Sequence, residues 1–240
     1  MNTTASYVCG SSDQPLIYQT LGDAFDRTVA KWPDKEAIVV RHQDIRWSYK
    51  QLGEAVDAFA GGLLALDLEP GDRVGIWSPN NIEWVIAQFA TAKAGLILVN
   101  INPAYRKGEL SYTLKKVGCK TLILAREFKS SNYVGMLQEI APDLGSFAPG
   151  KLNIPQLPEL RSLIVISDEP VPGMFRFSDI AGMAPPDAAE QLMARAKESQ
   201  PDDPINIQFT SGTTGLPKGA TLTHFNVLNN GYFVGQAMNF

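Results

Sequence analysis

The chain has 240 residues, of which 45% are hydrophobic and 19% charged, enough apolar material for one large or two modest folded domains and too much for a solvated tail. Its 21 Lys and Arg against 25 Asp and Glu give a net charge of −4 without long runs, so nothing favours nucleic acid as a partner. Two cysteines, Cys9 and Cys119, and two histidines, His42 and His224, are too few and too scattered for a disulfide framework or a zinc site.

No apolar run approaches the ~20 residues needed to cross a bilayer, so no transmembrane segment is expected. The opening Met-Asn-Thr-Thr-Ala-Ser-Tyr has neither a basic n-region nor an apolar h-region, and a reducing cytoplasm is the expected compartment.

In chain order, Leu21, Phe25 and Val29 form one helical stripe that ends near Trp32-Pro33, and Ala37–Val40 with Ile45–Trp47 predicts a short hairpin. Ser48 and Gln51 have capping-box spacing and open a helix that buries Leu52, Ala55, Val56, Phe59, Leu63 and Leu66. Pro70-Gly71-Asp72 turns the chain into a strand, Arg73–Trp77. Asn80, with Glu83 at box distance, caps a helix to about Ala94. Strand Leu96–Val99, helix Lys107–Val117 and strand Lys120–Leu124 follow. Residues 126–160, rich in Gly, Pro and Ser, read as a surface excursion before strand Arg161–Ile166 and an amphipathic helix over 187–199. Strands separated by helices of these lengths predict α/β architecture, a parallel or mixed sheet flanked by helices in layers.

The most specific stretch is Phe209-Thr-Ser-Gly-Thr-Thr-Gly-Leu-Pro-Lys-Gly219, set between two predicted strands, Ile205–Phe209 and Gly219–Thr223. Gly212, Gly215 and Gly219 let backbone amides turn inward, Ser211, Thr213 and Thr214 add hydroxyl donors, and Lys218 adds a compact positive charge, a combination suited to phosphate. The general G-x-x-x-x-G-K-[ST] nucleotide loop does not fit, because Gly215 stands three residues before Lys218 and Gly219 follows it where Ser or Thr would hold magnesium.

Thr210–Gly219, with Thr221-Leu-Thr-His224 behind it, resembles the signature loop of the AMP-forming adenylating enzymes, a superfamily that includes acyl-CoA synthetases, luciferase and peptide-synthetase adenylation domains. The likeness reaches back through Trp47–Leu52, Gly71–Val74, Pro79–Trp84, Ala94-Gly95 and Asn102–Tyr105 with Glu109-Leu110, so it covers about residue 15 onward. Within the superfamily, Val99–Arg106 and Ile205–Gly215 look most like the medium-chain acyl-CoA synthetase family member 2 group.

That resemblance implies the N-terminal part of the large domain of an adenylate-forming enzyme, divided into a tail at 1–15, an α/β subdomain at 16–200 and a phosphate-loop segment at 201–240 that begins the next subdomain. It implies activation of a fatty, medium-chain carboxylate by ATP to acyl-AMP and transfer to CoA. Thr210, Ser211, Gly212, Thr213, Thr214, Gly215, Leu216, Pro217 and Lys218 would bind the nucleotide, with Lys218 catalytic and Thr210 the contact for Mg²⁺. The alternatives are an enzyme of the same superfamily with another acceptor (an acyl-AMP ligase or peptide-synthetase adenylation domain) and a non-catalytic nucleotide-binding module. Upstream residues have structural readings: Trp77 and Trp84 as packing, His224 as structural and not the catalytic base, while Tyr105-Arg106 is open to substrate or subunit contact. Phe225–Phe240 reads as a helix that the chain end interrupts, so the expectation is that 1–240 alone is inactive and self-associating, which leaves homo-oligomers open.

Overall fold

The computed structural model describes residues 13–210 and 216–239. Helix α1 (Leu21–Lys31) is capped by Thr20, whose side chain accepts from Asp23 N–H. Strands β1 (Glu36–Val40) and β2 (Ile45–Ser48) form the predicted hairpin, and the Ser48–Gln51 capping box starts α2 (Tyr49–Leu64). After β3 (Arg73–Trp77), α3 (Ile82–Lys93) is capped by Asn81 and not by Asn80: Asn81 Oδ1 accepts from Trp84 N–H at 2.9 Å. The predicted box fails because Glu83 is occupied elsewhere, accepting from Gln43 Nε2 at 2.9 Å.

The chain continues through β4 (Ile97–Asn100), α4 (Lys107–Val117) and β5 (Cys119–Ala125) to two short strands, β6 (Glu127–Phe128) and β7 (Ser131–Asn132), and helix α5 (Tyr133–Ile140). Then come β8 (Ser162–Ile166), β9 (Phe175–Arg176), α6 (Phe177–Ile180), α7 (Ala188–Glu198), β10 (Pro204–Thr210), β11 (Lys218–Thr223) and α8 (His224–Ala237). Helix α8 opens on a Thr223–Asn226 capping box.

Seven strands make one sheet in the order β11-β10-β4-β3-β5-β8-β9, parallel throughout except where β11 runs antiparallel to β10. The predicted layered α/β class with a mixed sheet is what forms. Strand periodicity divides the core into two layers. Val74, Ile76, Leu98, Ile123 and Ile164 face α1, α2 and α3, whereas Trp77, Val99, Leu122, Leu124, Val165 and Ile207 face α4 and α5. Gly62 lets α2 lie against the end of α6, since a Cβ there would sit 1.9 Å from the carbonyl oxygen of Ile180.

Residues 126–160 are more than a surface excursion. They contain α5, and Tyr133, Leu137, Leu144, Leu152, Ile154, Leu157 and Leu160 are buried in the second core layer. Tyr133 stacks on Trp77 with ring centroids 3.7 Å apart, and its hydroxyl donates to Pro103 O at 2.6 Å. Tyr133, Val134, Met136, Leu137 and Ile140 have helical spacing, but it lasts only eight residues before the Pro- and Gly-broken stretch from Pro142 to Pro158, which is why the whole segment reads as loop.

β10 and β11 lie in the same hydrogen-bonded sheet as the strands before them, β10 against β4 and β11 at the edge. The segment ahead of α1 is fastened to α8, where Asn229 Oδ1 accepts from Ile17 N–H at 2.8 Å and Asn229 Nδ2 donates to Ile17 O at 2.9 Å.

Candidate functional site

β10 runs parallel to β4 and β3, so its carboxyl end leaves the sheet on the side where Ser78 follows β3 and Ile101 follows β4. Ligands of open α/β sheets bind outside those carboxyl ends. There β10 turns into β11, and the turn is the stretch singled out from sequence. Thr210 pairs with Lys218 in the antiparallel register, and Thr210 Oγ1 donates to Lys218 O at 3.4 Å. Ser211, Gly212, Thr213, Thr214 and Gly215 lie outside the described residues, as does Cys9.

Of the predicted site residues that are described, Thr210, Leu216 and Lys218 are exposed and Pro217 is half-buried. Lys218 has no ion pair among the described residues, so its charge is not committed to a carboxylate. Gly219 differs from its predicted role. It pairs with Phe209 inside the hairpin ladder, and a Cβ on it would stand 3.1 Å from Ile207 Cγ2 and 3.4 Å from Phe209 Cζ. Its missing side chain makes room for two strand residues and does not shape a turn.

His224 is remote from this turn. It follows β11, six residues long, at the opposite end of the hairpin, about 20 Å away by strand rise. Buried, it accepts from Leu21 N–H on Nδ1 at 3.0 Å, and burial lowers its pKa below the ordinary histidine value. A neutral imidazole holding the first turn of α1 is a structural histidine, as read from sequence. Trp77 and half-buried Trp84 both pack against core clusters, again as expected. Tyr105 is half-buried against the second layer, and Arg106 N–H donates to Glu109 Oε2 at 3.1 Å to start α4. Among the described residues no group of three His, Cys, Asp or Glu could hold a metal. Cys119 is buried, and desolvation pushes its thiol up to about 12, so it is inert.

Sequence reasoning passed over a polar residue at the root of the turn. Asn206, inside the apolar alternation of β10, is 1% exposed and bonds to Asn100 on β4 and Gln88 on α3. The available signal was one amide between Ile205 and Ile207 in a buried strand.

A family model described as AMP-binding enzyme matches residues 25–239. The mouse protein described as medium-chain acyl-CoA ligase ACSF2, mitochondrial, is 45% identical over 237 residues, covering 97% of this chain and 38% of that protein. Its human counterpart is 44% identical over 234 residues, with the same shares of each chain. The chain thus spans well under half the length of these relatives. Among solved structures, the anthranilate CoA ligase AuaEII in complex with anthranoyl-AMP superposes with a TM-score of 0.71 at 25% identity, covering 90% of this chain and 37% of that one.

These names correct the compartment expected from sequence, since the mouse and human relatives are mitochondrial. The cytoplasmic inference rested on a missing secretory signal and unpaired cysteines, and neither observation separates the cytoplasm from other reducing compartments.

Proposed function

Because this chain belongs to the AMP-binding enzyme family, we propose that it carries the phosphate-binding part of an acyl-CoA ligase that activates a fatty, medium-chain carboxylate. The observation that carries this reading is the position of Thr210–Lys218 as the turn of a hairpin at the carboxyl ends of parallel strands. In the proposed reaction a carboxylate oxygen attacks the α-phosphorus of ATP, its bond to the pyrophosphate breaks, and acyl-AMP forms. The thiol of CoA then displaces AMP from the mixed anhydride. The relatives' names support the acyl class and chain length, and the adenylate in the superposed ligase supports the intermediate.

Lys218 is the residue proposed to face the phosphates. Negative charge accumulates on the leaving pyrophosphate, and the ammonium group of Lys218, carried on the first residue of β11, would stabilise that charge. The uncommitted charge of Lys218 supports the role. Thr210 is proposed to offer its exposed hydroxyl to Mg²⁺; one neutral oxygen and no carboxylate cluster among the described residues suits an ion bound mainly through nucleotide phosphates. When bound, the ion would neutralise phosphate charge. Ser211, Gly212, Thr213, Thr214, Gly215, Leu216 and Pro217 complete the proposed cradle around ATP.

Titration of the 240-residue chain with MgATP, beside the Lys218→Ala variant, tests the reading. Saturable binding by the parent chain that weakens in the variant is the expected result. A parent chain that binds no ATP, or equal affinity in the two, would remove it. Acyl-AMP formation from ATP and a medium-chain fatty acid, assayed on the same material, tests whether these residues suffice for the first step.

A further inference from the structure

β10 is held in the sheet by only three residue pairs to β4, Asn206 with Leu98, Ile207 with Val99 and Gln208 with Asn100. Its alternation of apolar and polar residues forbids a slip of one residue, which would turn Ile205 and Ile207 to the other face. A slip of two preserves that alternation, yet would carry Thr210 roughly 7 Å along the sheet. The hydrophobic pattern alone therefore leaves the start of the turn ambiguous by two residues.

One set of side chains removes the ambiguity. Asn100 Nδ2 donates to Asn206 Oδ1 at 2.8 Å, and Asn206 Nδ2 donates to Gln88 Oε1 at 3.0 Å. The three amides run from β4 across β10 to α3, and the middle one is buried. The ends of the chain, Gln88 Nε2 and Asn100 Oδ1, are buried and have no partner among the described residues. A slip of two would put in the place of Asn206 either Pro204, which has no amide and breaks both bonds, or Gln208, whose amide is one methylene too long to keep both at their present geometry. Buried polar groups used in this way are known to fix register.

We propose that Asn206, acting with Asn100 and Gln88, is a positioning residue that sets the register of β10 and thereby the place where the phosphate loop begins. This rests on the reading of 210–218 as that loop. Asn206 touches no reacting atom. It acts through the backbone of Ile207–Thr210, four residues ahead of the loop.

Two variants test it. Asn206→Val strands Asn100 Nδ2 and Gln88 Oε1. The triple variant Gln88→Leu, Asn100→Val, Asn206→Val removes every amide, and its melting temperature is expected to return close to that of the parent chain because no buried polar group is left unmet. Hydrogen exchange across 209–219 is nonetheless expected to run about tenfold faster than in the parent in both variants, with β3 and β5 unchanged. A triple variant that recovers parental exchange would overturn the proposal, because the amides would then matter only as satisfied core groups. So would parental exchange in Asn206→Val, or a triple variant no more stable than the single one.

MgATP separates this from the loop assignment. Faster exchange in the variants with no ATP protection of 209–219 in the parent chain would leave the register role standing and remove the phosphate-loop reading. ATP protection in the parent, kept in full by both variants at parental exchange rates, would do the opposite.

Discussion

The centre of the sheet and its β10–β11 edge are built on opposite terms. In β3 and β5 most residues are buried, with Trp77, Leu122, Ile123 and Leu124 fully so, and each strand is paired on both sides. At the edge, Lys218, Gly219, Ala220 and Thr221 are exposed, and among the described residues β11 pairs with β10 alone. Substitutions in the centre should therefore register as stability, whereas substitutions at the turn should register as ligand affinity with the fold intact.

The largest effect is expected at Trp77. Truncation to Ala deletes the ring stacked on Tyr133 and leaves a cavity in the second layer, costing about 4 kcal/mol and lowering the melting temperature by about 12 °C. Trp77→Phe keeps most of the stacking and discards an indole N–H that has no partner among the described residues, so its cost should be about 1 kcal/mol. If Phe proved as damaging as Ala, the indole N–H would have an importance that the packing does not give it.

Gly62→Ala ranks next. Helix propensity favours alanine by about 1 kcal/mol, but the new Cβ would overlap the carbonyl of Ile180, costing about 3 kcal/mol. A net loss of about 2 kcal/mol in urea unfolding is expected. A neutral result would mean that α2 and the end of α6 separate freely.

Lys218→Ala should reverse the pattern. Its side chain is exposed and has no ion pair among the described residues, so the melting temperature should move by about 1 °C or less, while ATP affinity falls about tenfold. A large loss of stability without loss of affinity would break the comparison, because it would make the turn part of the fold's support.

The smallest effect concerns pH. His224 is held neutral by burial, with its folded pKa below the unfolded value, so the unfolded chain takes up its proton first. The contribution is complete above about 6.5 and declines as pH falls through the folded value. Stability should decrease on acidification below that point, and the slope should flatten in His224→Gln. An unchanged slope would show that burial does not hold the folded pKa of His224 below its unfolded value.

Much of the fold could be read before the structure because its elements carry local signatures. The Ser48–Gln51 box, the Gly71 turn and the amphipathic stripe of α1 depend on residues within a few positions of one another. That 210–218 joins two strands was legible for the same reason, as its turn-forming glycines and Pro217 are contiguous. The placement of the cap at Asn81 was not, because it depends on Gln43, about forty residues away, taking up Glu83.

The sequence by itself determined that this is a layered α/β chain in which two strands flank a Gly-rich connection, since period, capping and turn chemistry are local properties. Only the tertiary structure decided that 126–160 buries Tyr133 and its neighbours in the core, that His224 serves α1 at the far end of the hairpin, and that Asn206 meets Asn100 and Gln88. Each of these joins residues distant along the chain. Such contacts exist only once the strands have been ordered, and strand order is a consequence of packing that no local pattern encodes.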